Sequence, residues 1–179
     1  MKWELAMDFM EQFVIPFGGL KPGEHPFSFD LDKQFFDRFE YSQVKEGQVH
    51  VDLVLFKQEN LMVFSFSLKG EVITPCDRCN EPFPVKLEGK EELIVKFGTD
   101  DHEENETIQV IQEGTKKFDI SPFLYEYIHL LLPARRVHPE DEEGNPTCNP
   151  EILKRMDVSA GSGEPDSRWD VLKSLKTKN

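Results

Sequence analysis

The stretch QVHVDLVLFKQENLMVFSFSLKGEVITPC, residues 48–76, decides how this chain folds. Val49, Val51, Leu53 and Leu55 share one side of a period-two pattern. After the polar turn KQEN (57–60), Met62, Phe64, Phe66 and Leu68 repeat it. Successive side chains of a strand point to opposite faces, so strict alternation over this length predicts two half-buried antiparallel strands. Gly70 is placed for a bulge. A third extended segment runs from Phe83 to Phe97, weakened at EGK (88–90). Cys76 and Cys79 therefore belong at the tip of a hairpin, between Pro75 and Pro82.

Working outward, residues 11–31 mix short β-prone pieces (Phe13–Phe17, Pro26–Phe29) with a Gly/Pro-rich connection. Asp30 is expected to cap a short helix carrying Phe35, Phe36 and Phe39. Downstream, 98–106 reads as an acidic loop and TIQVI (107–111) as a short strand. In DISPFLYEYIHLLLPARR (119–136) the period changes to that of a helix. Ser121 is its expected N-cap, Pro122 suits the first turn, and Pro133 ends it. Phe123, Leu124, Tyr127, Ile128 and Leu131 form its apolar face. An acidic loop, HPEDEEGNPTCNP (138–150), leads to a short helix at 150–156 and a small-residue linker, DVSAGSGEPDS (157–167). Ser167-x-x-Asp170 then has the form of a capping box at a terminal helix. The expected class is α+β: a mostly antiparallel sheet with one packed helix, a cysteine-bearing hairpin and a short C-terminal helix. The expected organisation is a single domain over 1–158, a flexible linker over 159–166 and an amphipathic tail over 167–179.

At 179 residues, 38% of them hydrophobic, the chain can bury a real core. No stretch approaches the ~20 consecutive apolar residues of a membrane helix. Glu4, Asp8 and Glu11 interrupt the N-terminal MKWELAMDFMEQF, which reads against a signal peptide. Three cysteines cannot form a fully paired disulfide framework, so the expected setting is the cytoplasm, with reduced thiols. The net charge of −13 argues against a protein that grips naked nucleic acid along its surface. Acidic runs lie at 100–106 and 140–143. The last twelve residues, RWDVLKSLKTKN, set Arg168, Lys173, Lys176 and Lys178 against Asp170, a local +3 that leaves −16 on the remainder. An acidic body of this kind suits a basic protein partner.

Cys76-Asp77-Arg78-Cys79 admits three readings. A redox dithiol wants a helix N-terminus after a parallel strand, which stabilises the thiolate. Here the flanks are prolines and extended chain. A structural zinc site wants four ligands, and two thiolates two residues apart on a tight turn can supply half of them. Cys148 and His138, in the polar loop downstream, would complete a Cys3His set that staples the loop to the hairpin. The third reading is a reduced packing cluster. His102 is a weaker ligand candidate, His129 faces away from the apolar stripe of its helix, and His25 and His50 read as surface. No Gly-x-Ser-x-Gly, phosphate-cradling glycine loop or His-Glu-x-x-His is present, no small-molecule substrate is indicated, and the expectation is a protein that is not an enzyme.

The ordered set CDRCNEPF (76–83), LPARRVHPEDEEGNPTC (132–148) and the closing W-x-V-L-x-x-L (169–175) resembles the YceD family, the bacterial large-ribosomal-RNA accumulation proteins that also occur in plastids. The resemblance spans roughly residues 70–176. It implies a non-enzymatic role in synthesis, processing or stability of large-subunit ribosomal RNA. It also implies that Cys76, Cys79, His138 and Cys148 act as a unit. The implied partner is a ribosomal protein or a pre-large-subunit particle. Arg135, Arg136, Arg168, Trp169, Leu172, Lys173 and Lys176 are the candidate partner or RNA contacts. Arg135 and Arg136 also suit a second role, answering the dipole of the helix they follow. The alternative reading is a thiol- or metal-dependent redox protein or sensor using Cys76 and Cys79.

Overall fold

The structure is a computed structural model that describes residues 9–98 and 108–160, with side chains as far as 156. It is α+β, as the period-two and helical patterns require. The acidic run 100–106, His102 and the tail with Arg168, Trp169, Leu172, Lys173 and Lys176 lie outside the described residues. Two compact units are present, one drawn from Met1–Pro75 with Pro82–Arg136, the other from Cys76–Glu81 with Val137–Asn179.

The first unit is built on a five-stranded sheet in the order β2-β3-β4-β5-β6. Its strands are β2 (Gly23–Leu31), β3 (Glu46–Lys57), β4 (Leu61–Pro75), β5 (Pro82–Phe97) and β6 (Ile108–Ile111). The first four pair antiparallel, and β6 joins β5 in parallel. A two-stranded ribbon pairs β1 (Val14–Ile15) with β7 (Phe118–Asp119). Val49, Val51, Leu53 and Leu55 of β3 meet Met62, Phe64, Phe66 and Leu68 of β4 on one buried face. The alternate positions, including His50, Asp52, Ser65 and Lys69, stay open to water.

Phenylalanine fills that face. The helix Lys33–Phe36 delivers Phe35 and Phe36, both fully buried, and Phe35 packs its ring at 5.2–5.5 Å against Phe13, Phe36 and Phe39. The helix Ser121–Leu130 buries Leu124, Tyr127 and Ile128, and Tyr127 meets Phe66 at 5.3 Å. No helix among the described residues is long and apolar enough to cross a membrane.

Several local expectations are corrected. Asp32, not Asp30, caps the first helix, its Oδ1 accepting from the Gln34 N–H, because Asp30 is held in β2 opposite His50. Ile120, not Ser121, is the N-cap of the second helix, and Asp119 Oδ1 accepts from the Ser121 N–H. β2 starts at Gly23 and passes through Pro26, which an edge strand tolerates because alternate N–H groups there have no ladder partner. β5 is continuous across Glu88–Lys90, since Gly89 pairs with Leu68 and leaves room for Leu131. The final described helix runs Pro150–Ala160, past the expected 156 and into the expected linker.

Gly70 is no bulge. Its register with Val49 is unbroken, but β3 passes so close that an added Cβ would lie 2.1 Å from the Gln48 carbonyl oxygen and 2.6 Å from the Val49 Cα. Those are backbone atoms and cannot swing aside. Gly70→Ala should lower the unfolding free energy by about 1–3 kcal/mol, the usual cost of overpacking. Gly19→Ala, with nothing within 4 Å, should be near neutral in the same urea titration.

Candidate metal centre

The long β4–β5 hairpin has its turn at Cys76–Glu81, which belongs to the second unit. Its geometry follows from the sequence CDRCN. The Cys76 carbonyl accepts from the Asn80 N–H at 2.8 Å, and the Cys76 N–H donates to Glu81 O at 2.9 Å. Closing so tight a turn needs a residue at positive φ, and Asn80 takes it at 60°. Asparagine is among the few non-glycine residues that adopt this region readily. The Arg78 N–H points at the Cys76 sulfur at 3.4 Å, so the turn presents both thiols on one side with a backbone donor behind one of them.

The downstream loop closes on itself. Asp141 Oδ1 accepts from the N–H groups of Glu143 (3.0 Å) and Asn145 (2.7 Å), and Gly144 turns the chain at φ +83°. Those N–H groups, chiefly that of Asn145, hold the Asp141 carboxyl below the usual range. A bridge between Glu140 and Pro146, and the Thr147 hydroxyl donating to Pro139 O, complete a small hairpin. Its stems carry His138 and Cys148, which is how residues ten apart arrive side by side. Asn149 then serves two elements. Its Oδ1 accepts from the Glu151 N–H at the start of the Pro150–Ala160 helix, and its Nδ2 donates to Glu81 in the cysteine turn at 2.5 Å.

The structure thus brings together all four residues that the sequence nominated. One ligand atom from each of Cys76, Cys79, His138 and Cys148 lies within 4.8 Å of the others. Cys76 Sγ is 3.8 Å from Cys148 Sγ, and His138 Nδ1 is 3.4 Å from Cys79 Sγ and 3.7 Å from Cys148 Sγ. Zinc bound tetrahedrally at ~2.3 Å to sulfur and ~2.0 Å to nitrogen sets S···S near ~3.8 Å and S···N near ~3.5 Å. The donor set fits that ion. All four tetrahedral positions would be filled by protein, the pattern of a structural site, whereas a catalytic zinc keeps one position open.

Burial points the same way. Among the described residues of this unit the buried ones are Cys76, Cys79 and Cys148, at 2–4% exposure. With no apolar core of its own, so small a unit needs a cross-link or a metal to hold its shape. Burial by itself would raise the Cys76 thiol. The N–H groups of Cys79, Arg78 and His138, helped by the His138 ring, outweigh it and bring the thiol down to about 6. Cys148 is pushed up, by burial and by the neighbouring Cys76 and Cys79. A thiolate is the form a metal takes.

The other nominated residues lie elsewhere. Arg135 is exposed, and Arg136, half-buried, donates from Nη1 to Gln43 Oε1 at 3.0 Å. The sequence reading missed an arrangement at His50. Its Nδ1 pairs with Asp30 Oδ1 at 2.7 Å, while Nε2 lies 3.3 Å from Ser28 Oγ and 3.4 Å from Asp52 Oδ1. No spacing rule could have found it, because the β2–β3 register assembles it. The order Ser–His–Asp resembles a hydrolytic triad, but its chemistry is poor. The hydrogen bond to Asp30, with Asp52 adding to it, raises the ring's pKa and favours imidazolium, which is no base, and the site stands open to water on a sheet face.

The family model described as large ribosomal RNA subunit accumulation protein YceD matches residues 64–176, which takes in both cysteine turns, the Ser121–Leu130 helix and the basic tail. An uncharacterized protein, YlbN, of Bacillus subtilis (strain 168) is 32% identical over 74 residues, 40% of this chain and 41% of the relative. The chain thus matches less than half the length of that relative. No solved structure matches.

Proposed function

The chain belongs to the YceD family, the large ribosomal RNA subunit accumulation proteins, and from that premise we propose that it is a non-enzymatic factor supporting synthesis, processing or stability of large-subunit (23S) ribosomal RNA. The family match over residues 64–176 is the observation that carries the reading. In it, the protein works in the cytoplasm as an assembly adaptor that engages a ribosomal protein or a pre-large-subunit particle. Cys76, Cys79, His138 and Cys148 hold a structural zinc ion that fixes the 138–148 hairpin in shape. That hairpin displays Glu140, Glu142 and Glu143 to solvent, and its charge suits a basic segment. Arg135, Arg136 and the tail residues Arg168, Trp169, Leu172, Lys173 and Lys176 supply the remaining contacts.

Deletion of the gene should lower mature large-subunit rRNA relative to small-subunit rRNA, and the protein should co-sediment with large-subunit precursors. Reversing the charges at 140–143 should slow association with the particle, and the difference should shrink at physiological salt, where exposed charges are screened beyond ~8 Å. An unchanged rRNA ratio at several growth temperatures would overturn the reading. The lowered Cys76 thiol favours a second one, a redox sensor. It requires a Cys76–Cys79 disulfide to form in peroxide at concentrations that leave unrelated buried thiols intact.

A further inference from the structure

In the first unit, the outer face of the five-stranded sheet departs from the alternation that built it. At one end the outward positions are polar, as the pattern requires: His50, Asp52, Ser65, Ser67 and Lys69. At the other end they are apolar. Phe56 pairs with Val63, Val63 with Ile94 and Ile94 with Ile108, so one apolar row runs in register across four strands. Val54 lies beside Phe56, with Pro26 of β2 as its cross-strand neighbour. Phe56 and Val54 are each 39% exposed, and Val63, Ile94 and Ile108 are half-buried. A single exposed apolar side chain is ordinary, whereas a contiguous row with a polar rim marks an interaction surface.

Shape and charge narrow the occupant. Ser65 and Ser67, both small, floor a depression of about 630 Å3 whose walls are Asp52 and Val54 of β3 and Lys90 and Glu92 of β5. Glu24 pairs with Phe56 on the β2 side, and Glu59 stands exposed in the β3–β4 turn. These four acids outnumber the cations nearby, Lys90 and Lys96. Glu24, Glu59 and Glu92 make no ion pair among the described residues, whereas Lys69 and Glu88 at the polar end lie 3.5 Å apart and answer each other.

We propose that this face is the docking surface for a basic amphipathic helix of a partner protein, its apolar side on Phe56, Val63 and Ile94 and its Lys or Arg residues toward Glu24, Asp52 and Glu92. The sheet's own ladder uses the backbone groups here, so the face offers side chains alone. An occupant must then satisfy its own N–H and C=O groups, which a helix does and an extended segment does not. At ~4.8 Å between strands the apolar row is ~14 Å long, and between two and three turns of helix at ~5.4 Å per turn cover it. A second copy of this chain would set acid against acid at a charge of −13 each, and RNA would bring phosphates to the same acids. The proposal rests on the assembly reading and deepens it, since it names where the basic partner of that reading is held.

The test is fluorescence anisotropy of the full-length protein with a labelled 14-residue peptide of leucine and lysine at helical spacing, and with its counterpart carrying glutamate for lysine. The lysine peptide should bind and the glutamate peptide should not. Phe56→Thr should weaken binding on the order of tenfold, as for a central aromatic anchor, and Phe56→Leu by no more than about twofold. Threonine suits a strand, so the Phe56→Thr chain should keep the parent's circular dichroism. Glu92→Lys should weaken binding several-fold, chiefly by slowing association. Glu40→Lys makes the same charge change in an exposed turn away from the sheet and should stay within about twofold. In the deletion strain, the Phe56→Thr chain should accumulate without co-sedimenting with large-subunit precursors. Equal peptide binding by Phe56→Thr, equal binding of the glutamate peptide, or a dimer that Phe56→Thr abolishes would each overturn the proposal. The two failures are distinguishable: a normal rRNA ratio in the deletion strain ends the assembly reading, whereas a Phe56→Thr chain that still co-sediments ends the docking surface and leaves that reading standing.

Discussion

Protein purified without a metal-affinity tag should contain one zinc ion per chain, and Cys148→Ser should abolish it. The expected effect is large because a zinc ion held there would replace a core. In the unit formed by Cys76–Glu81 and the chain from Val137 onward, the buried side chains among the described residues are the three cysteines. Structural zinc contributes an apparent ~10–16 kcal/mol at neutral pH, against ~5–15 kcal/mol for the whole stability of an ordinary domain. Chelation should therefore open residues 137–156 to proteases. The five-stranded sheet, whose packing involves no metal ligand, should keep its circular dichroism. Acid should act like a chelator. Protons compete with the metal for the three thiolates and the imidazole, so affinity should fall steadily as the pH falls; in the metal-free protein the Cys76 thiol, lowered to about 6, is ready to bind at neutral pH. Metal-free protein with three titratable thiols and unchanged melting in chelator would end the metal reading and leave a reduced packing cluster.

Phe35→Ala should cost about 3–5 kcal/mol in denaturant unfolding, the range for removing a buried aromatic side chain. Phe35 is fully buried and its ring is flanked by Phe13, Phe36 and Phe39 at 5.2–5.5 Å, so truncation leaves a cavity that stiff rings on several sides cannot fill. The loss approaches the margin on which a domain stands. Phe35→Leu should recover much of it, since the remaining volume deficit is small. Tyr41→Ala removes a ring of similar size and should cost little, because that ring is 91% exposed. Equal costs at the two positions would show that the core around Phe35 can collapse, contrary to the packing described.

The alternation in 48–76 was sufficient for the hairpin and its buried face, because strand side chains have one fixed periodicity and a one-residue slip would bury His50 and Asp52 in place of Val49 and Val51. Cap positions were less legible. Asp30 and Asp32 are both competent caps in sequence, and pairing with β3 removed the first from competition. Gly70 looked like a bulge because a glycine within a strand has two explanations, a bulge and a close approach, and the distance to Gln48 distinguishes them.

Cys76, Cys79, His138 and Cys148 could be named from the chain, since thiol and imidazole donors on turns are few and their chemistry is specific. The cysteine turn is itself local: Asn80 can accept positive φ whatever surrounds it. What the sequence by itself determined is thus the mostly antiparallel character of the sheet with its long hairpin, the amphipathic helix and the choice of four candidate ligands, each set by periodicity or by side-chain chemistry within a short window. Tertiary structure alone decided that sulfur atoms 72 residues apart stand 3.8 Å from each other, that Ser28, His50 and Asp30 line up across two strands, and that Tyr41 joins Tyr125 and His129 around one cavity. Such meetings depend on strand register and on where a loop closes, and those are settled by the packing energy of the whole chain and by no local pattern.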